Sequence, residues 1–118
     1  MALYADRINA HRFEAVAPLI APDAVFWFGD GSHSGIGAIE QAFATTWSRL
    51  REETYWLEDL RWLVRDEAVA VCLYRFCWRA TIDGVDQAGD GRGTSVLERR
   101  AAAWLIVHEH LSPAPPQG

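Results

Sequence analysis

Acidic side chains inside apolar, strand-forming segments are the residues of this sequence best suited to chemistry. Glu109 lies in the segment from Trp104 to Leu111, and Glu58 lies in the segment from Tyr55 to Val64. Burial among aromatic side chains raises the pKa of a carboxyl group, and a raised pKa suits proton transfer near neutral pH. Glu109 and Glu58 are therefore the candidate catalytic residues, each as a general base.

The hairpin between residues 64 and 68 predicts which side chains lie beside Glu58. Opposed residues of antiparallel strands share a face, and a two- or four-residue turn gives paired numbers with an odd sum. Trp56, Glu58 and Trp62 then share a face with Arg75. Aromatic walls with a few converging polar groups are typical of a small-molecule pocket. The alternative is an ion pair between Glu58 and Arg75, which would lower the pKa of the glutamate and make it a poorer base.

Tryptophan side chains are candidate walls of this pocket. Trp27 and Trp56 are equally consistent with walls of a ligand site and with core filling, because each large ring offers much area for burial. Trp47 follows the spacing of a helix and is assigned to the core. We expect Trp27 and Trp56 to bind a compact, partly apolar ligand, with Arg75 fixing its carbonyl or carboxylate oxygen.

The tripeptide His108-Glu109-His110 is the best match to a metal site, because it can present two imidazoles on one face of a strand. Further ligands would have to come from the distant N-terminal half of the chain, where the candidates are His11, Asp30 and His33. We therefore interpret the histidines as structural and predict no metal and no cofactor. All 11 basic residues are arginine, which excludes a lysine Schiff base.

Composition limits the class of protein. A chain of 118 residues with six Trp and five Phe is one folded domain, since a disordered chain carries few aromatic residues. The net charge of −5 argues against binding to nucleic acid or an anionic membrane. No apolar run reaches signal-peptide or bilayer-spanning length. Cys72 and Cys77 are read as buried thiols, so we expect a cytoplasmic protein.

The order of elements predicts an α+β fold, with helices packed on one face of a curved, mainly antiparallel sheet. A helical first third ends at Pro22-Asp23, and a short strand and a second helix follow. The rest reads as long strands, with a three-glycine loop over residues 83–91. Residues 113–118 form a flexible proline-rich tail after a single domain over residues 1–112. The predicted strands and the second helix are 24–28, 36–51 (helix), 55–64, 68–82, 93–99 and 104–111.

The strand over residues 68–82 is apolar on both faces, which predicts a second cover for the sheet. A second copy of the chain is the simplest cover, so we expect a homodimer.

The sequence leaves two alternatives for the register of the last hairpin. A two-residue turn at Ala101-Ala102 pairs Ser95 with the His108 face, whereas a three-residue turn with a bulge pairs it with the Glu109 face.

Several segments resemble the SnoaL-like branch of the nuclear transport factor 2-like superfamily. The chain is especially similar to bacterial stand-alone relatives of the association (hub) domain of calcium/calmodulin-dependent protein kinase II. The resemblance implies a cone-shaped barrel with helices on the concave face of the sheet, a cavity open at one end, and dimerisation through the outer face. The residues that carry it are Gly91–Leu97, Trp104–Ser112, Pro22–Val25, Gly35, Ile39, Phe43, Trp47, Asp66-Glu67 and Arg75.

Carried over residue by residue, one arginine of the hub domain's carboxylate pocket matches Arg75, while two others fall on Ser95 and Leu111. The resemblance also turns Ser95 and Glu109 towards the cavity, which favours the bulged register. The superfamily's steroid isomerase pairs an acidic base with tyrosine donors. Here Tyr55 and Tyr74 are expected on the face opposite Arg75, so that mechanism is not carried over.

Three functions remain. The favoured one is a dimeric small-molecule-binding domain, with Arg75, Trp56, Trp27, Ser95 and Glu109 around the ligand. The first alternative is a cofactor-free isomerase, cyclase or lyase that uses a buried glutamate as general base. The second alternative is an oligomerisation module, for which a filled barrel interior is expected.

Overall fold

The computed structural model describes residues 1–113. Within that range the chain forms three α-helices, a short 3-10 helix at Ala17–Leu19, and six strands. The helices α1–α3 are Ala2–Ile8, Phe13–Val16 and Ile36–Arg49, and the strands β1–β6 are Ile20–Phe28, Gly31–Ser34, Arg51–Arg65, Val69–Ile82, Val85–Arg100 and Ala103–Pro113.

The six strands form one curved, mixed sheet in the order β2-β1-β6-β5-β4-β3. Strands β3 to β6 follow one another as antiparallel neighbours, whereas β1 pairs with β6 in parallel. The helices pack on the inner face of this sheet, with α1 against β3 and α3 against β1 and β2. The predicted α+β class, with helices on one side of a mainly antiparallel sheet, is confirmed.

The core lies between the helices and the β1 side of the sheet. Helix α3 buries Ile39 and Phe43, which recur at helical spacing, and α1 buries Tyr4 and Ile8. Gly35 caps α3 with φ +86°, a left-handed value that favours glycine. The buried side chains of α1 and α3 hold both helices against the sheet. A cavity remains between the two helices and the long strands.

Glycines of β5 correct the expected loop over residues 83–91. The chain turns at Asp83-Gly84, and β5 runs on through Gly89 and Gly91, the other two glycines of the expected loop. Each glycine lies opposite a large inward-facing ring of β4, and a Cβ atom on Gly93 would lie 2.2 Å from the ring of Tyr74. The glycines are therefore present to admit aromatic rings, and the pairs are Trp78–Gly89, Phe76–Gly91 and Tyr74–Gly93.

The last hairpin combines the two alternatives. Its turn is the two-residue Ala101-Ala102, and Leu97 pairs with Ile106. Val107 is then an extra residue without a partner, so that Ser95 pairs with Glu109. Because of this bulge, Ile106 and Glu109 are both buried although they are separated by three positions, an odd spacing that a regular strand places on opposite faces.

Several boundaries also differ from expectation. Pro22 lies inside β1, at an irregularity in its pairing with β6 where no regular ladder bond is lost. Helix α3 ends at Arg49 rather than residue 51. Pro113 closes β6 opposite Gly91, and the remainder of the predicted tail, residues 114–118, lies outside the described residues. No helix between residues 1 and 113 is both long and apolar enough to cross a membrane.

Candidate functional site

The inner face of the sheet and the helices enclose a cavity of about 510 Å³. Aromatic rings of the strands and of the helices α1 and α3 line it. The aromatic lining residues are Tyr4, Phe28, Phe43, Trp47, Tyr55, Phe76 and Trp78. Alternation along β4 turns its even-numbered residues inward, and two of them, Phe76 and Trp78, line the cavity.

Glu109 lies at this cavity with its carboxylate surrounded by hydroxyl groups. Tyr4 donates to Oε2 over 3.1 Å, and Tyr74 and Ser95 donate to Oε1 over 3.0 and 3.3 Å. Tyr74 Oη also lies 2.8 Å from Ser95 Oγ. Glu109 is 1% exposed. Three elements, α1, β4 and β5, thus converge on one carboxylate of β6, and we call this group the Glu109 cluster.

The electrostatics of the Glu109 cluster follow from burial. Burial raises the pKa of Glu109 to about 7, and the hydrogen bonds from Tyr74, Tyr4 and Ser95 oppose that rise. Burial, followed by the nearby Glu109 charge, raises the pKa of Tyr4 and of Tyr74 well above its ordinary value, so both stay neutral donors. Among the described residues, no basic side chain lies within 4.0 Å of the Glu109 carboxylate.

A second carboxylate, Glu53, lines the cavity from β3. Its side chain is 5% exposed, and burial raises its pKa to about 7. His11 donates from Nε2 to the Glu53 carbonyl oxygen over 3.0 Å and stacks on Trp47. Asn9 exchanges two hydrogen bonds with the backbone of Tyr55, which fixes the end of α1 to β3 beside Glu53.

Arg75 and its neighbours lie outside the cavity, which corrects the expected pocket. Glu58 does pair with Arg75, as the odd-sum register predicts. However, the Arg75 side chain is 49% exposed on the outer face, where it binds Glu58 Oε2 and Asp90 Oδ2 at 2.8 Å each. Trp56 lies on the same outer face and donates to Glu58 over 3.0 Å. The ion-pair alternative therefore describes these residues, and Glu58 is not a buried base.

Two more tryptophans that were expected to lie near Arg75 or to line the pocket are placed differently in the structure. A bulge with Asp59 at φ +54° shifts β3, so Trp62 pairs with Cys72 instead of sharing the face of Arg75. Trp27 is 48% exposed on the outer face, where it packs edge-on against His108 and His110. Trp27 and Trp56 are thus not walls of the cavity, whereas Trp47, assigned to the core, does line it.

The tyrosines that donate to Glu109 were not among the predicted site residues. Tyr74 was expected on the face opposite the pocket, because the Arg75 face was expected to be the inner one. The signal for the correct choice was the inward pattern Cys72, Tyr74, Phe76, which carries no charge, while the opposite face carries arginines. Tyr4 shared a helical stripe with Ile8, but nothing in the sequence joined that stripe to Glu109.

Comparisons with known proteins agree on the fold. The sequence model of the SnoaL-like domain matches residues 1–116. A nuclear transport factor 2-like superfamily protein from Salmonella enterica shares 24% identity with a TM-score of 0.87, over 98% of this chain and 86% of that chain. No curated protein has a significantly similar sequence.

More distant structures share the same architecture. The calcium/calmodulin-dependent protein kinase II hub homology domain of Chlamydomonas reinhardtii has 16% identity and a TM-score of 0.78, over 97% of this chain and 92% of that chain. An uncharacterised protein with a cystatin-like fold from Caulobacter vibrioides has 18% identity and a TM-score of 0.81, over 97% and 84% of the two chains. At these identities the likeness concerns the fold alone.

Proposed function

This chain belongs to the SnoaL-like domain family, and we propose that it binds a compact, partly apolar organic molecule in the cavity beside the Glu109 cluster. The observation that carries this proposal is a cavity of about 510 Å³ whose aromatic walls meet one buried group of hydroxyls and a carboxylate. Cavities of this size and lining are typical of small-molecule sites. A purely oligomeric module has no need of such an opening, so the cavity favours ligand binding.

The polar groups of the cavity limit the chemical class of the ligand. Tyr4 and Tyr74 each have one hydroxyl proton, which Glu109 already accepts, so the donor open to a ligand carbonyl oxygen is the carboxyl group of Glu109 in its protonated form. Arg75, which was to hold a carboxylate, lies on the outer face. A ligand carboxylate would instead meet Glu109 and Glu53, so we favour a carbonyl over a carboxylate.

Ligand binding can be tested with acetophenone and indole by saturation-transfer NMR and thermal shift. Leu111 borders the cavity, so Leu111→Trp should fill it and abolish the saturation-transfer signal. Leu3 is 53% exposed on α1, and Leu3→Trp is the matched control that should bind as the natural chain does. No binding by the natural chain, or binding that survives Leu111→Trp, would argue against the proposal.

A second function, cofactor-free proton transfer, is favoured by the state of Glu109. A carboxylate with a pKa raised to about 7 and no basic neighbour among the described residues is a competent general base near neutral pH. It would take a proton from the carbon next to a carbonyl, leaving the electron pair delocalised onto the carbonyl oxygen, and return the proton to carbon. Isomerases complete both transfers, whereas cyclases and lyases share only the first, the removal of the proton from carbon.

Exchange into D2O tests this second function directly. The α-hydrogens of acetophenone should exchange faster with the protein than without it, as followed by proton NMR. Glu109→Gln should remove the acceleration, whereas Glu58→Gln should leave it intact because Glu58 lies on the outer face. Binding without any acceleration would leave only the binding function.

We also propose a homodimer through the outer face of the sheet. Half-buried apolar side chains of adjacent strands, Val71, Leu73 and Val96, lie there with the exposed Trp27. Val96→Arg should shift the mass measured by light scattering from dimer to monomer, since it buries a charge in the interface. The unbridged thiols Cys72 and Cys77 support a reducing, cytoplasmic compartment.

A further inference from the structure

Glu53 differs from Glu109 in having no hydrogen-bond partner for its carboxylate among the described residues. Its side chain is 5% exposed and the residue lines the cavity. The nearest basic atom is His11 Nε2, which lies 3.9 Å from Glu53 Oε1. This nitrogen donates instead to the backbone carbonyl oxygen of Glu53, over 3.0 Å. The carboxylate oxygens that border the cavity are therefore acceptors without a protein donor in the described part of the chain, open to a ligand or to water.

An unpaired carboxylate in this position is costly to the fold. Desolvation alone accounts for the rise of its pKa to about 7, since no donor opposes it. A donor that carries positive charge would offset this desolvation most effectively, because charge-assisted hydrogen bonds are about twice as strong as neutral ones. The position thus favours a ligand with a charged N–H group over a neutral one.

The walls beside Glu53 favour the same kind of ligand. Tyr55 follows Glu53 on β3, and Trp47 lines the cavity while stacking on His11, with ring centroids 5.5 Å apart. Aromatic faces attract organic cations through their quadrupoles. Only one lining residue is basic, the exposed Arg49, and it makes no ion pair within the described part of the chain. The cavity interior is therefore negative and aromatic.

We propose that the cavity's ligand is an organic cation, a protonated amine on a compact aromatic or alicyclic body, whose ammonium group donates to the Glu53 carboxylate. The proposal rests on the proposed binding function and adds the chemical class of the ligand. The ammonium lies at Glu53, between the β3 wall and Trp47, while the body fills the space towards the Glu109 cluster.

A series of three nearly isosteric probes tests the charge of the ligand. By isothermal titration calorimetry at pH 7.5, 2-phenylethylamine should bind about tenfold more tightly than 2-phenylethanol, and phenylacetate more weakly than both. Equal or tighter binding of the alcohol than of the amine would overturn the cation proposal and leave the binding function standing. Failure of all three to bind, together with acetophenone and indole, would overturn both.

Substitution of Glu53 identifies the group responsible. Glu53→Gln should reduce the affinity for 2-phenylethylamine about tenfold, to that of the alcohol, and leave the affinity for 2-phenylethanol unchanged. The retained alcohol affinity shows that the variant is folded. The adjacent Glu52 is exposed, so Glu52→Gln is the matched control and should bind the amine normally. Unchanged amine affinity in Glu53→Gln would contradict the proposal.

The pH dependence separates an ionised Glu53 from a protonated one that donates to a neutral ligand. The other titratable or charged groups around Glu53 are His11, Tyr55, Arg49 and, elsewhere on the cavity wall, Glu109. Amine affinity should rise several-fold from pH 5.5 to 8.0, and the rise should be clearly smaller in Glu53→Gln, where only Glu109 still ionises over this range. A fall in amine affinity over this range would contradict the proposal.

Discussion

The hydroxyl group of Tyr4 lies 3.1 Å from Glu109 Oε2, although 105 positions separate the two residues in the chain. Tyr4 comes from the first helix and Glu109 from the last strand, while Tyr74 reaches the other carboxylate oxygen from the middle of the sheet. The acid of the candidate site is thus held by elements from the whole length of the domain.

Removal of a tyrosine hydroxyl should raise the pKa of Glu109 above about 7, because the hydrogen bond from Tyr74 lowers it in the natural chain. Tyr74→Phe should show this in a carbon-13 NMR titration of the Glu109 carboxyl group. The variant should also lose about 1–2 kcal/mol of stability, the usual worth of such a bond. Tyr55→Phe is the control, because Tyr55 makes no hydrogen bond to Glu109 among those of the described residues. A pKa that stays the same or falls in Tyr74→Phe would contradict this view of the cluster.

The two buried glutamates should make the protein more stable as the pH falls from about 7 to about 4.5. Burial raises each pKa from 4.5 to about 7, so in this window the folded state binds more protons than the unfolded state. Stability therefore decreases as the pH rises, by up to about 3 kcal/mol for each group. Urea unfolding at several pH values between 4.5 and 7.5 gives the free energy of unfolding as a function of pH. That free energy should change less steeply with pH in Glu53→Gln and in Glu109→Gln than in the natural chain. Slopes that match the natural chain would show that neither acid has a raised pKa.

Gly93→Ala should destabilise the fold by about 1–3 kcal/mol, the usual cost of overpacking. Its Cβ atom would lie 2.2 Å from the ring of Tyr74, so the ring that donates to Glu109 must move. The matched control is Gly37→Ala in α3, where a Cβ meets nothing within 4 Å and alanine favours the helix. Denaturant unfolding of both variants measures the difference. Equal stability of the two would show that β5 does not require a bare backbone under the ring.

Arg75→Ala should leave ligand binding unchanged. The guanidinium is exposed on the outer face and pairs with Glu58 and Asp90, so its loss affects only surface ion pairs. Titration of 2-phenylethylamine and acetophenone into the variant checks this expectation. A large loss of affinity would restore Arg75 to the site and contradict its placement on the outer face of the sheet.

Strand pairing predicts which residues share a face of the sheet, but it does not predict which of the two faces is the inner one. Pairing of Glu58 with Arg75 follows from the hairpin alone, since strand alternation fixes which residues share a face. Both faces of β4 are rich in apolar residues, so apolar content alone did not distinguish the inner face from the outer one, and the arginines of the outer face were the one signal. Packing of α1 and α3 decides it, and that contact joins residues far apart in the chain.

Glycines and a bulge account for the remaining differences. Gly89 and Gly91 were expected in a loop because glycine is common in turns, yet they lie in β5 and, like Gly93, each faces a ring on the neighbouring strand. The bulge at Val107 has no recognisable signature among the apolar residues around it. Resemblance to the family supplied the inward direction of Ser95 and Glu109, which local propensity left open.

The surplus residue Val107 has an evolutionary consequence. Because it has no partner on β5, a chain that lacked it could still pair Leu97 with Ile106 and Ser95 with Glu109 in an uninterrupted ladder. A deletion of this one residue would then leave the pairing of Ser95 with Glu109, and so the buried acid, unchanged. Homologues that differ by one residue here should be aligned on their buried acid, not on gap-free numbering of the final strand.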